Sequence, residues 1–215
     1  MNSDMSHLSG PIEVEQKFVP GPEIEDSLHA LGAELLEEVT FQDSYYDSTD
    51  LRLTLCDMWL RRRGDRWELK LPPERDARNV KGSSTQYLEL SNDAEIIRRV
   101  SEELGVQRPL SIEALGLNNF ASFVTHRRRF QLPHVEGSST KAVVDLDETD
   151  FGFAVGEVEV LVNRQEEVQD ALKKVEEVCK QLGVPKGSPV QGKVSTFLQR
   201  NNTEHYKQLL EANII

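Results

Sequence analysis

Cysteine is scarce in this chain: Cys56 and Cys179 are the only two among 215 residues. They form no Cys-x-x-Cys and no Cys/His cluster, which argues against a disulfide framework or a zinc site and fits a reducing compartment. The histidines His7, His29, His126, His134 and His205 form no ligand set. No apolar run approaches the ~18 residues of a membrane-spanning helix. The polar N-terminus lacks the apolar stretch of a secretory signal, so a cytoplasmic setting is expected. Positive charge is also short: 37 acidic residues face 25 Lys and Arg, a net charge of −12. Such a chain repels a nucleic-acid backbone over most of its surface, and neither nucleic acid nor membrane is expected as a partner. Nothing marks an oligomer interface, and a monomer is the expectation.

The basic residues that are present come in bunches, Arg61-Arg62-Arg63 and Arg127-Arg128-Arg129. In an acidic protein this suggests an enclosed anion site, with solvated strands or turns as the plainer alternative. Alternating runs predict strands at 12–19, 39–47, 57–63, 66–71, 84–90, 122–132, 141–147 and 156–162. Gly64-Asp65 is a short hairpin connection. Apolar residues at helical spacing predict helices at 22–34, 93–104 (with Ser91 or Asn92 as N-cap), 166–182 and 194–210. The segments 81–84, 136–139 and 185–189 read as loops and a connector.

Side chains alternate faces along a strand. In the first strand Glu13, Glu15 and Lys17 oppose Ile12, Val14 and Phe18. Trp59, Arg61 and Arg63 oppose Met58, Leu60 and Arg62; Arg66, Glu68 and Lys70 oppose Trp67, Leu69 and Leu71. Tyr87 and Glu89, Thr125 with Arg127 and Arg129, Asp145 with Asp147, and Glu157 with Glu159 fall together in the same way. One architecture is an open sheet with its charged face in water. The other is a closed barrel with the charges inside and helices over the apolar outside. Concentrated carboxylates repel one another unless cations neutralise them. That favours the barrel, where Lys17, Arg61, Arg63, Lys70 and Arg127 supply part of the neutralisation and a hard divalent cation the rest. The echo of Glu13-Val14-Glu15 in Glu157-Val158-Glu159 suggests two acidic strands facing each other. Cys56 and the helical apolar stripes read as packing, and Arg128 as a surface residue.

Glu13-x-Glu15-x-Lys17, Leu60-Arg61-x-Arg63, Glu68-Leu69-Lys70, Asp145-x-Asp147 and Glu157-x-Glu159 occur in the order that resembles the CYTH, or triphosphate tunnel, superfamily. Ser44-Tyr45-Tyr46-Asp47, Ala121-Ser122-Phe123-Val124-Thr125 and Ala154-Val155-Gly156-Glu157-Val158-Glu159 add matches, most similar to its animal thiamine triphosphatase branch. The resemblance implies an α+β fold: a closed eight-stranded antiparallel barrel with a charged lumen and helices packed outside. Residues 1–10 would be a disordered tail and 11–210 a single catalytic domain.

The implied activity is Mg²⁺-dependent hydrolysis of thiamine triphosphate, a small-molecule triphosphate. Carried over by position, Lys17, Arg61, Arg63, Lys70, Arg127 and Lys193 would grip phosphate oxygens. Asp145, Glu157 and Glu159 would hold Mg²⁺, and Glu13 and Glu15 would support a second metal or the attacking water. Glu13, Glu15 and Lys70 are the implied catalytic residues. Trp59 would stack on the organic cation, with Tyr45 in support, although barrel packing also explains Trp59. Roles for Glu89, Asp147 and Arg129 stay open. The alternatives are an inorganic tripolyphosphatase or nucleoside triphosphatase on the same barrel, and a polyphosphate-binding module without turnover.

Overall fold

In the computed structural model, described here for residues 10–72, 84–133, 141–185 and 190–215, eight strands close into one antiparallel barrel. They are β1 (Ile12–Phe18), β2 (Glu34–Asp47), β3 (Trp59–Arg63), β4 (Arg66–Leu71), β5 (Ser84–Leu90), β6 (Asn118–Gln131), β7 (Ala142–Thr149) and β8 (Ala154–Val162). Their order around the barrel is β1-β5-β4-β3-β2-β6-β7-β8, and β8 pairs back onto β1. Closure gives each of the described strands two neighbours, which removes the edge strand of an open sheet. It also separates the two faces of the strands: β1, β4, β7 and β8 turn apolar side chains outward and charged ones inward, while β2 and β6 also carry polar groups such as Ser44 and Arg128 outside and the rings of Tyr45 and Phe123 inside. The two acidic strands are thus neighbours: Glu15 lies opposite Glu159 and Lys17 opposite Glu157.

The described helices are α1 (Ile24–Ala30), α2 (Asp93–Leu104), α3 (Val168–Gln181), α4 (Lys193–Asn201) and α5 (Thr203–Glu211). α3 covers β1 and β8, burying Val168, Ala171, Val175 and Val178 with Val14, Phe18, Val158 and Val160. α2 places Ile96, Ile97 and Val100 in a second core with Leu60, Leu69 and Leu71. Asn92 caps α2 by accepting from the Ala94 and Glu95 N–H groups, which satisfies donors the first turn leaves unpaired. α4 packs Val194, Phe197 and Leu198 against the inward side chains Tyr45, Phe123 and Trp59.

Two helices differ from expectation. The first is shorter, because Gly32 takes a left-handed φ of 76° and the Ala33 N–H bonds back to the Leu28 carbonyl. That geometry ends a helix, and β2 begins two residues later. The predicted C-terminal helix is two helices, broken at Asn202, whose side chain accepts from the His205 N–H and caps α5. Asparagine competes with helical continuation in this way. Cys56 is exposed rather than packed, and its thiol donates to Glu103 at 3.3 Å. The residue runs 1–9, 73–83, 134–140 and 186–189, with the expected tail and most of the expected loops, lie outside the described residues.

Where β8 meets β1, Gly156 pairs with Phe18, and a Cβ on Gly156 would lie 2.2 Å from the Phe18 ring. That ring is locked in the α3 core. Gly156→Ala is expected to cost about 1–3 kcal/mol by overpacking, read as a lower urea midpoint at constant m. Phe18→Leu in the same chain should recover part of the loss. An unchanged midpoint in the single variant would contradict this packing.

Candidate active site

Strand register places most charged side chains of the lumen directly across from another. Arg61 on β3 faces Glu68 on β4 and bonds it at 2.7 Å; it reaches Glu89 at 3.3 Å. Arg63 faces Asp43 on β2, with two bonds of 2.7 and 2.8 Å. Arg127 on β6 faces Asp147 on β7, with bonds of 2.7 and 2.6 Å, and reaches Glu157 at 3.4 Å. Arg129 faces Asp145 with two bonds of 2.7 Å. Opposite charges placed across strands stabilise a sheet, and forked arginine–carboxylate pairs are among the strongest polar contacts. The lysines complete the set. Lys17 pairs with Glu15 and lies 3.6 Å from Glu157. Lys70 pairs with Glu13, and Lys193 reaches in from the first residue of α4 to pair with Asp147.

Near α4 the lumen opens into a cavity of about 510 Å³. Its charged lining is Glu13, Glu15 and Glu157 against Lys17, Arg61, Lys70, Arg127 and Lys193. Five cations therefore meet three carboxylates inside a protein whose net charge is −12. The local excess of positive charge suits an anion with many oxygens. Trp59, Tyr45, Tyr87, Ile214 and Ile215 give the same cavity an apolar flank.

Burial works to raise every carboxyl here, and the neighbours decide the outcome. Against burial, Lys193, Lys17 and Arg127 hold Glu157 well below the usual carboxylate range. Lys17 and Lys70 likewise outweigh burial at Glu15 and keep it low. At Glu13 burial wins over Lys70, helped by the charges of Glu15 and Glu89, and the carboxyl is raised. Burial and the Glu13 charge push Glu159 up to about 8.

A CYTH domain model matches residues 11–192. The chain belongs to the CYTH family. It is 42% identical over 213 residues to a human protein named thiamine-triphosphatase, covering 95% of this chain and 91% of that one. The protein of the same name from Macaca fascicularis is 41% identical with the same coverage. Among solved structures, HpAC1 of Hippeastrum superposes with a TM-score of 0.58 at 19% identity, over 88% of this chain and 96% of its own. PH1819 of Pyrococcus horikoshii OT3 gives 0.55 at 20% identity, over 88% and 99%. These two show the shared fold.

In this CYTH lumen, the expected phosphate-gripping residues Lys17, Arg61, Lys70, Arg127 and Lys193 line the cavity together with Trp59 and Tyr45. Arg63 lies beyond it, forked onto Asp43 and 3.9 Å from the Phe41 ring centroid. Of the expected metal ligands, Glu13, Glu15 and Glu157 line the cavity. Both Asp145 oxygens are taken by Arg129 and Arg127, and Glu159 lies 3.5 Å from Arg129. Glu89 pairs with Arg61, and Asp147 with Arg127 and Lys193. Arg128 points outward to Glu25 and Glu148. Asp43, Asp57 and Phe41 escaped the sequence reading; extending the period-two pattern along β2 from Tyr45 would have found Asp43 and Phe41.

The donor set fits a hard divalent cation. All candidate ligands are carboxylate oxygens. Glu13 and Glu159 are raised because nearby positive charge does not fully compensate their burial. Among the described residues, no three acidic, His or Cys groups are gathered as a ready-made cage; lysines and arginines hold the carboxylates instead.

The raised Glu159 has a consequence for stability. Between its ordinary 4.5 and about 8 the folded protein holds a proton that the unfolded chain releases. Its contribution is full below 4.5 and is lost as pH rises through 8. Relative to Glu159→Gln, the metal-free protein should therefore lose stability between pH 5 and pH 8, as followed by chemical denaturation at each pH. Parallel pH profiles for the two proteins would remove this assignment.

Proposed function

We propose that the tunnel hydrolyses thiamine triphosphate to thiamine diphosphate and phosphate. The observation that carries this is the cavity itself, five cations and three carboxylates beside an indole, in a chain that aligns almost end to end with proteins named for that activity. Lys17, Arg61, Lys70, Arg127 and Lys193 bind the phosphate chain. Lysines act as mobile point charges and arginines as forks on phosphate oxygens. Each now holds a carboxylate. An arriving triphosphate offers these cations new partners and frees Glu13, Glu15 and Glu157, with Glu159 and Asp145 behind them, to hold Mg²⁺. The bound Mg²⁺ would neutralise charge on the phosphate oxygens.

Phosphoryl transfer needs mostly positioning and neutralisation of spread charge. Water attacks the terminal phosphorus and the bridging P–O bond breaks, leaving the electron pair on the diphosphate. The raised Glu13 is the better proton acceptor for that water; Glu15, held by Lys17 and by Thr85 Oγ1 at 3.1 Å, orients it. Lys70, paired with Glu13, sits where it can follow the charge developing on the transferred group. Trp59 receives the thiazolium, a cation–π contact, with Tyr45 stacked on Phe123 as its support. Residues 11–210 form one catalytic domain in this reading, and the enzyme is a cytoplasmic monomer that takes a small-molecule triphosphate. Among the described residues, no helix is long and apolar enough to cross a membrane.

Phosphate release from thiamine triphosphate, inorganic tripolyphosphate and ATP, each with Mg²⁺, should favour the first, and chelation of the metal should abolish it. Trp59→Ala should lower kcat/KM for thiamine triphosphate by about 5- to 30-fold, the equivalent of about 1–2 kcal/mol of cation–π contact, and leave tripolyphosphate nearly unchanged. A preference for tripolyphosphate or ATP, or equal losses on both substrates, would overturn the substrate assignment. No turnover of any triphosphate would mark a binding module.

A further inference from the structure

Just before β3 the chain passes through a residue with an unusual backbone. Asp57 has φ 60° and ψ 31°, in the left-handed region. There glycine is free, and Asp and Asn are tolerated better than other side chains. This conformation follows a one-turn 3₁₀ helix, Thr54–Cys56. It brings the Asp57 carboxylate back over its own strand. Asp57 Oδ1 accepts from Trp59 Nε1 at 2.9 Å and from the Tyr87 hydroxyl at 3.1 Å. One oxygen atom thus ties an indole on β3 to a phenol on β5, with β4 between those strands. Both rings line the cavity.

We propose that Asp57 is a positioning residue that fixes the Trp59 indole and thereby sets selectivity for a flat organic cation attached to the phosphate chain. The inference rests on the proposed thiamine triphosphate activity and deepens it. An indole on a strand can rotate about its χ angles. An N–H···O⁻ bond to a carboxylate is a strong directional tether, and pinning that edge of the ring fixes its plane. The carboxylate also pushes electron density into the indole through the N–H, which strengthens the attraction of its face for a cation. The Tyr87 hydroxyl holds Asp57 from the other side, so the oxygen is anchored to two strands. Leu198 and Leu209 pack beside the ring from α4 and α5, with Ile214 and Ile215 against the same cluster. The two hydrogen bonds of Asp57 described here run to the rings, and Lys70 lies across from Trp59 in the strand register; inorganic tripolyphosphate, which lacks the organic half, therefore serves as the control.

The test uses the full chain with Mg²⁺. Asp57→Gly suits the left-handed backbone and deletes the acceptor; Asp57→Asn keeps an acceptor oxygen and removes the charge. For thiamine triphosphate, Asp57→Gly should raise KM about 5- to 10-fold, the scale of a lost cation–π contact, and Asp57→Asn about 2- to 3-fold. For inorganic tripolyphosphate both variants should stay within about twofold of the parent. In a Trp67→Phe background, which leaves Trp59 as the one indole, Asp57→Gly should shift Trp59 emission to the red and increase its quenching by acrylamide, and Asp57→Asn should restore both. Equal changes on both substrates, or an unmoved emission with the substrate preference intact, would overturn the positioning role. A parent enzyme with no preference for thiamine triphosphate would instead overturn the substrate assignment and the selectivity role, while the emission shift still decides whether Asp57 holds the indole.

Discussion

The structure depends on neutralising a charged interior. Glu13, Glu15, Asp43, Asp145, Asp147, Glu157 and Glu159 are all buried inside the barrel. An unpaired carboxylate in such a place costs several kcal/mol. Antiparallel register solves this by setting a cation across from most of them: Arg63 against Asp43, Arg127 against Asp147, Arg129 against Asp145, Lys17 against Glu157. The exceptions are informative. Glu15 faces Glu159 across β1 and β8, and Glu159 is the group whose carboxyl is pushed up to about 8. Compensation is thus uneven along β1 and β8: lysines hold Glu15 and Glu157 low, whereas Glu13 and Glu159 are raised.

That imbalance links fold and chemistry. A network balanced everywhere would be inert, because replacing one buried partner by solvent is unfavourable. Here the lysines are paired tightly but sit on flexible stems, whereas Arg127 and Arg129 are forked rigidly onto Asp147 and Asp145. The arginine side is the stiffer of the two, and of this pair Arg127 alone lines the cavity. The lysine side can exchange carboxylate for phosphate, which releases Glu13, Glu15 and Glu157. Buried charge pairs of this kind contribute little to stability for their cost, which places their value in specificity and chemistry.

Much of this was legible from alternation alone. Period two along β1, β3, β4, β7 and β8 sorted lumen from exterior, and all eight strands fall where the pattern set them, with shifted ends. Partners were harder to see. That Arg63 belongs to Asp43, or Arg61 to Glu68, depends on register, which is fixed by turns and bulges distributed over the barrel and by no local spacing. Lys193 is further out of reach. It lies at the start of a helix, and helical periodicity says which face is apolar without saying that one side chain extends into a barrel end. The break at Asn202 was hidden because the apolar stripe continues through both helices, and only the capping side chain marks the boundary. Asp57 gave no signal, since a left-handed φ on a non-glycine residue has no compositional trace.

The pairing of β1 with β8 bears on how the protein is made. β1 can pair with β5 early, but Ile12 contacts Val162 and Phe18 contacts Gly156, so its other edge finds β8 only after most of the chain has been synthesised. Until then Glu13, Glu15 and Lys17 have no lumen to occupy, and Val14 and Phe18 have no α3 to pack beneath. Pairing over such sequence distances is slow, because loop closure must be paid for before the contacts form. On the ribosome the nascent chain must therefore carry an incomplete sheet with an open edge through most of its synthesis, and the seam between its first and last strands closes only at the end.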